Sequence, residues 1–155
     1  MPEMIVIADT SCLIVLSRIE ALSLLRQLYR RVVITEEISD EYGEPLPAWI
    51  EVMPVVDKKY QYLLERILDK GESSAIALAV TLENTLLILD DLKGRKEAKR
   101  LGFKVTGTLG VLFSAKQKGL ISALKPCIEQ LQATGFRIAP SIVEELLVLS
   151  GEDGD

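Results

Sequence analysis

The stretch Thr85-Leu-Leu-Ile-Leu-Asp90-Asp91 places two acidic residues directly after a run of apolar residues. A short, uninterrupted apolar run is typical of a strand that is buried on both faces of a parallel sheet. The chain begins in the same way, because Met4-Ile-Val-Ile-Ala8 is followed by Asp9. Ligands of open α/β sheets bind at the carboxyl ends of the strands. If these two strands are neighbours, three carboxylates from distant parts of the chain meet at one edge of the sheet.

Helical patterns alternate with apolar strands along the rest of the chain. Further strands are expected at residues 32–34, at 49–56 as an edge strand, and at 104–106. Alternation of this kind predicts an α/β fold with a mainly parallel central sheet flanked by helices. We expect a single domain over residues 1–150 and a flexible acidic tail over residues 151–155.

Three local signals predict where helices begin. Thr35 is expected to cap a helix that starts with Glu36 and Glu37. Gly71 is expected to separate two helices, the second of which starts at Glu72. The spacing Ser141-x-x-Glu144 predicts a capping box at the start of the last helix.

The composition excludes several kinds of active site. The chain has 155 residues, a net charge of −5 and no histidine, which removes Ser-His-Asp triads, Cys-His pairs and nearly every zinc site. An acidic protein binds nucleic acid only through a local basic patch or bridging metal ions. Cys12 and Cys127 match no metal-binding spacing and are expected to be reduced thiols. With no bilayer-spanning segment and no signal peptide expected, we anticipate a cytoplasmic protein without membrane contact.

The acids at the strand ends admit two interpretations. In the first, Asp9, Asp90 and Asp91 repel one another until a divalent cation relieves the repulsion, and ligation by oxygen alone favours Mg²⁺ or Mn²⁺. In the second, each acid merely caps the helix that follows its strand.

Four sequence elements occur in a characteristic order. They are Ile5-Val-Ile-Ala-Asp9-Thr-Ser11, Val33-Ile-Thr-Glu-Glu-Ile-Ser-Asp-Glu41-Tyr42, Gly71-Glu72-Ser-Ser-Ala-Ile-Ala-Leu-Ala79 and Leu87-Ile-Leu-Asp90-Asp91-Leu-Lys-Gly-Arg95-Lys-Glu-Ala98, and they lead to Leu101-Gly-Phe-Lys-Val-Thr-Gly107-Thr108-Leu-Gly110. Over residues 4–149 the chain resembles the PIN-domain superfamily, which includes the VapC-type toxins of toxin–antitoxin pairs, and in particular a prokaryotic PIN-like subgroup. Thr35 departs from the pattern, because a proline is frequent at that position.

The resemblance implies a three-layer PIN-like fold and metal-dependent hydrolysis of RNA, with Mg²⁺ or Mn²⁺ as the cofactor. It also implies a homodimer and a cognate antitoxin as partners. The implied catalytic and metal-binding residues are Asp9, Glu41, Glu72 and Asp91, with Asp90 as the alternative to Asp91. For Glu41 the competing interpretation is a solvated helix acid, and for Glu72 it is a partner of the helix dipole.

Substrate contacts are expected on two surfaces beside these acids. Ser11 is expected either to orient Asp9 or to contact a phosphate, and Thr108 is a further candidate. A basic patch follows the paired aspartates and is suited to an RNA backbone, or else forms a charged outer helix face with Glu97 interleaved. Its residues are Lys93, Arg95, Lys96, Lys99, Arg100 and Lys104, of which Lys93, Arg95 and Lys96 are the primary candidates.

Three other functions compete with the nuclease. A receiver-type phosphoacceptor domain also uses acids at strand ends, but it places its acid pair on the first strand, whereas here the pair comes late. A phosphatase of the haloacid-dehalogenase type requires Asp-x-Asp, which Asp9-Thr-Ser11 lacks. The third alternative is a catalytically silent PIN-like fold that acts as a binding partner.

Overall fold

Five parallel strands form one sheet in the computed structural model, which describes residues 3–152. The strands are β1 (Ile5–Ala8), β2 (Arg31–Thr35), β3 (Ile50–Met53), β4 (Thr85–Ile88) and β5 (Lys104–Thr106). Their order across the sheet is β3-β2-β1-β4-β5. The chain therefore moves outward from β1 to β3, returns to the other side of β1, and continues to β5. This confirms the predicted parallel sheet and the edge position of β3, although β3 ends before Pro54.

The strand order decides against the receiver alternative. Receivers are flavodoxin-like and have the order 2-1-3-4-5, whereas this sheet has the order 3-2-1-4-5. In such a sheet the direction of winding reverses between β1 and β4, and ligands bind outside the carboxyl ends of the strands at that point. The acids after β1 and β4 thus lie at the crevice.

Helices cover both faces of the sheet and complete a three-layer α/β fold. Within residues 3–152 they are α1 (Thr10–Arg18), α2 (Ser23–Leu28), α3 (Glu36–Tyr42), α4 (Lys58–Leu64), α5 (Lys70–Val80), α6 (Leu92–Arg100), α7 (Thr108–Gln117), α8 (Lys125–Ala133) and α9 (Pro140–Leu149). Helix α5 packs against β1, β2 and β4 and contacts α3 and α4, while α2 packs on α7. None of these helices is both long and apolar enough to cross a membrane.

The predicted cap of α3 is confirmed, but two other helix starts differ from expectation. The Thr35 side chain accepts a hydrogen bond from the Ile38 amide at 3.1 Å. Gly71 does not separate two helices, because the Asp69 carboxylate accepts from the Glu72 amide at 2.8 Å and starts α5 at Lys70. Gly71 consequently lies in the first turn of α5.

The capping box at Ser141 was also wrong. Helix α9 begins at Pro140, and its N-cap residue, Ala139, provides no side-chain hydrogen bond. Proline at the first helical position has a backbone φ already suited to the helix and lacks an N–H that would need a partner.

Glu152 lies in the tail predicted over residues 151–155, of which residues 153–155 lie outside the described part of the chain, and it contacts the helical part of the protein. Its two carboxylate oxygens accept hydrogen bonds from the backbone amides of Leu124 at 2.7 Å and Lys125 at 3.0 Å. These amides lie at the start of α8, where Leu124 itself supplies no side-chain cap. A residue far along the chain therefore provides the N-terminal cap of α8.

We expect Glu152→Ala to lower the free energy of unfolding by about 1 kcal/mol, because two amides at the start of α8 lose their acceptor. Urea denaturation measures the change. The matched control is Glu129→Ala, which removes an exposed glutamate from the same helix. Equal stability of the two variants would show that the Glu152 contact contributes nothing.

Candidate active site

The carboxyl ends of β1 and β4 lie side by side, which is the condition under which the acids after these strands meet. Ala8 pairs with Ile88 in parallel register, and the Asp9 amide donates to the Ile88 carbonyl at 3.1 Å. Asp9 is therefore the first residue after β1, and Leu89 and Asp90 are the first two residues after the neighbouring strand β4. The pairing brings carboxylates 81 residues apart in the sequence to one edge of the sheet.

Asp9 does not serve as a helix cap. It occupies the N-cap position of α1, but its side chain makes no capping hydrogen bond. The residue is only 7% exposed, and its Oδ1 is buried without a hydrogen-bond partner among the described residues. A buried carboxylate oxygen with no donor is costly, so the capping interpretation does not account for Asp9.

Three carboxylates surround the backbone of Gly71. A Cβ placed on Gly71 would lie 3.0 Å from Glu41 Oε1, 3.2 Å from Asp9 Oδ1 and 3.6 Å from Asp69 Oδ1. Glu41 is held there by the Thr10 hydroxyl, which donates to Glu41 Oε1. Glu41 is thus not merely a solvated helix acid. The missing side chain at residue 71 leaves a small cradle lined by carboxylate oxygens.

Glu72 extends this acidic cluster towards α6. It is 3% exposed, and its Oε2 is buried without a hydrogen-bond partner in the described part of the chain. A Cβ on Gly94, in the first turn of α6, would come within 2.5 Å of that oxygen. Gly94 therefore provides the space in which the Glu72 carboxylate lies.

Asp90 is held by three hydrogen bonds. Its Oδ1 accepts from the Thr108 amide at 2.8 Å, and its Oδ2 accepts from the Thr108 hydroxyl at 2.6 Å and the Ser11 hydroxyl at 2.8 Å. Ser11 was expected to orient Asp9 or to contact a phosphate; it instead orients Asp90. Ser11 and Thr108 therefore fix the position of an acidic side chain, and their contact with substrate stays a prediction.

Asp91 caps a helix and still has acceptor sites that no hydrogen bond of the described residues uses. It is the N-cap of α6, and its Oδ2 accepts from the Gly94 amide at 3.3 Å. A carboxylate has about four acceptor sites, of which three are used at Asp90 and one at Asp91. Asp91 therefore has more free acceptor sites than Asp90, and which of the two binds an ion stays a prediction.

Burial and mutual repulsion raise the pKa values of two of these acids. Burial is the main reason why the pKa of Asp9 is raised to about 7; a hydrogen bond from the Thr10 backbone opposes the rise, and the charges of Asp69, Glu41 and Asp90 add to it. Burial, followed by the charges of Asp69 and Asp91, raises the pKa of Glu72 to about 8. Near neutral pH the cluster therefore requires protons or a cation.

The residues of the cluster fit a divalent cation in their chemistry. The unpartnered oxygens of Asp9 and Glu72 are hard anionic ligands, and the Gly71 cradle is space that a side chain would otherwise fill. Within residues 3–152, no three acidic or cysteine side chains already form a metal-binding group. Binding of an ion must therefore draw the carboxylates closer together than they stand here.

Asp69 is the residue of the cluster that the sequence analysis missed. Its carboxylate caps α5 through the Glu72 amide and also lies beside the Gly71 cradle. The spacing Asp69-x-x-Glu72 matches a capping pattern, and that pattern would have located the helix start. It would not have indicated that the cap contributes charge to the site.

The predicted basic patch divides into two parts. Lys93 and Lys96 are exposed on α6 and line a groove of about 480 Å³ together with Arg66. Arg95 turns inward, and its Nη1 donates to the Leu89 carbonyl at 3.1 Å. The structure thus favours Lys93 and Lys96 over Arg95 as residues available to a nucleic-acid backbone.

Comparison with known proteins identifies the family. No curated protein matches the chain in sequence. A family model described as DUF3368: PIN domain matches residues 5–152, which includes all five strands and every acid of the cluster. PIN domains are generally metal-dependent nucleases. From this match and the parallel sheet with acids at its switch point, the chain belongs to the PIN-domain superfamily.

Proposed function

We propose that this protein is a metal-dependent endoribonuclease that hydrolyses RNA phosphodiester bonds at the acidic cluster. The observation that carries the proposal is the buried, unpartnered Oδ1 of Asp9, which lies beside the Gly71 cradle together with Glu41 and Asp69. Four further observations support it: the raised pKa values of Asp9 and Glu72, the free capacity of Asp91, the exposed lysines of α6, and the family match.

Each acid has a role in this proposal. Asp9, Glu41, Glu72 and Asp91 would hold Mg²⁺ or Mn²⁺ directly or through water, with Asp90 as the alternative to Asp91. When bound, the ion supplies an activated water and neutralises the negative charge that develops on the phosphate. Lys93 and Lys96 attract the RNA backbone towards the cluster, which would otherwise repel it.

We further propose that the protein is the toxin of a toxin–antitoxin pair, acting as a homodimer in the cytoplasm. The support for these proposals is the resemblance to VapC-type toxins and, for the cytoplasm, the two free cysteines Cys12 and Cys127. A catalytically silent PIN-like binding protein is the second candidate. The unneutralised acids favour the enzyme, because a silent fold has no need to bury repelling carboxylates.

We expect Asp9→Asn to lower Mn²⁺-dependent cleavage of single-stranded RNA by at least about 100-fold, because the amide is a poor ligand for a hard cation. Gel analysis of a labelled RNA measures the rate. The control is Glu83→Gln, which changes an exposed residue just before β4, at the amino ends of the strands. Full activity of the Asp9→Asn protein would remove Asp9 from the site.

The same substitution should stabilise the protein in the absence of metal. Between about pH 4 and pH 7 the folded protein retains the Asp9 proton, which the unfolded chain has already released, so the free energy of unfolding falls as pH rises. In EDTA, Asp9→Asn should therefore exceed the wild type in stability at pH 8 by at least about 1 kcal/mol, and the difference should vanish near pH 4. Urea titrations across this pH range test it, and a wild type that is more stable at pH 8 than at pH 5 would contradict it.

Gly71→Ala should weaken metal binding without unfolding the protein. The new methyl group would enter the cradle, while alanine in a helix costs less than glycine by about 1 kcal/mol. We expect Mn²⁺ to raise the Tm of the wild type, and Gly71→Ala to require roughly tenfold more Mn²⁺ for the same shift. Ser73→Ala is the matched control, because the Ser73 hydroxyl in the same helix has no partner among the described residues. An unchanged Mn²⁺ requirement would show that the cradle is not the ion site.

A further inference from the structure

Another groove lies beside the acidic residues, between the β5 edge of the sheet and α9. This β5–α9 groove has a volume of about 550 Å³, within the range of ligand sites. Asp90, one of the acids that follow β4, is among the residues that line it. A Cβ on Gly107 would lie 2.7 Å from Arg95 Nη1 and 2.8 Å from Asp90 Oδ1, so the missing side chain keeps this part of the groove open. The groove is therefore continuous with the edge of the sheet at which the acids lie.

The β5–α9 groove has an excess of positive charge. Arg95 and Arg137 line it together with a single acid, Asp90, and three hydrogen bonds already satisfy that acid. Arg137 is exposed, and neither arginine forms an ion pair with any residue of the described range 3–152. This groove therefore attracts a polyanion.

The groove between α3 and α4 has the opposite charge. It is lined by four acids and two lysines, which are Glu36, Glu37, Asp40, Glu65, Lys58 and Lys70. A polyanion bound at the acidic cluster would be repelled along α3 and α4 and attracted along β5 and α9. Of these two grooves, the β5–α9 groove is thus the one suited to a chain of phosphates.

The walls of the β5–α9 groove are largely apolar and open to solvent. Leu92 is 63% exposed and Ile142 is 42% exposed, and no residue of α9 is buried although most of them are apolar. Phe136, which is partly buried, adds an aromatic ring to the lining. Free phosphate would gain nothing from such walls, whereas the unstacked bases of single-stranded RNA bind aromatic and apolar side chains. Arginines beside apolar walls therefore match both the phosphates and the bases of a single strand.

We infer that the β5–α9 groove holds the single-stranded RNA on one side of the bond that is cut, with Arg137 binding a phosphate and Phe136 stacking on a base. Helix α6 separates this groove from the one lined by Lys93 and Lys96. Positive charge thus flanks both sides of the helix whose first turn follows Asp91. This inference rests on the proposed function, because it names residues that position the substrate of that hydrolase.

RNA binding in EDTA tests the groove separately from hydrolysis. Fluorescence anisotropy measures the affinity of the full-length protein for a labelled single strand of about ten uridines. Arg137→Ala should weaken binding roughly fivefold and lower the slope of log affinity against log salt by about 0.7, as expected for one lost phosphate contact. Arg137→Lys, which keeps the charge, should keep the slope. The matched control is Arg26→Ala, which removes an exposed arginine of α2 outside the groove and should bind like the wild type.

Two further substitutions test the apolar walls. Phe136→Ala should weaken binding by at least about fivefold without changing the salt slope, whereas Phe136→Tyr, which keeps the ring, should bind like the wild type. Because Phe136 also packs against the core, Leu92→Glu provides a test at an exposed position. Its added negative charge should weaken binding roughly fivefold.

The outcomes separate this inference from the hydrolase. In Mn²⁺, Arg137→Ala should raise the KM for RNA and leave kcat within about twofold of the wild type. Equal RNA binding by Arg137→Ala, Leu92→Glu and Arg26→Ala overturns the groove, even if RNA is cleaved. Dissociation of a dimer by Leu92→Glu with unchanged RNA binding also overturns it, because a second copy would then cover these walls. Binding of RNA that depends on the groove, by a protein that cuts no RNA, supports the groove and overturns the hydrolase; no RNA binding at all overturns both.

Discussion

Repulsion between carboxylates at the ends of two adjacent parallel strands is the constraint on which the rest of the structure depends. Pairing of β1 with β4 brings Asp9 to the same edge as Asp90 and Asp91, and burial of Asp9 removes the water that would otherwise screen its charge. Asp9 then needs a proton or a cation near neutral pH. A fold selected only for stability would not keep this arrangement, because one amide in place of the carboxylate would relieve the repulsion. The arrangement therefore lowers the stability of the protein without a cation, and it makes the site attract positive charge.

The surrounding elements hold the acids together against this repulsion. Ser74 donates to the Gly71 carbonyl at 2.7 Å, and its hydroxyl lies 2.7 Å from that of Thr35. Because Thr35 also caps α3 through the Ile38 amide, one chain of hydrogen bonds joins the start of α3 to the first turn of α5. That connection keeps the helix of Glu41 beside Gly71, and the absence of a side chain at Gly71 lets the carboxylates approach from three sides.

The strands and the acids that follow them could be predicted from the sequence, since both follow from local patterns. Apolar runs ending in Asp9 and in Asp90 indicated parallel strands, and the sheet order then placed those acids together. The contribution of Asp69 could not be predicted, because a helix cap has the same local signature whether or not other acids face it. The partners of Ser11 and Glu152 were missed for a related reason: each bonds to a segment far away in sequence, and nothing in the local sequence identifies a distant partner.

Glu37 and Glu41 show that two acids on one short helix can differ in their need for positive charge. They are four residues apart on α3, so they lie about 6 Å apart along its axis and project from similar faces. Burial favours the neutral form of Glu37, but hydrogen bonds from Lys58, from its own backbone amide and from Gln61, together with the charge of Lys58, outweigh burial and lower the pKa of that carboxyl below its ordinary value. Glu37 is therefore a carboxylate whose charge the protein itself already balances. No ion pair neutralises the acids around Gly71 within residues 3–152, so they remain suited to a cation.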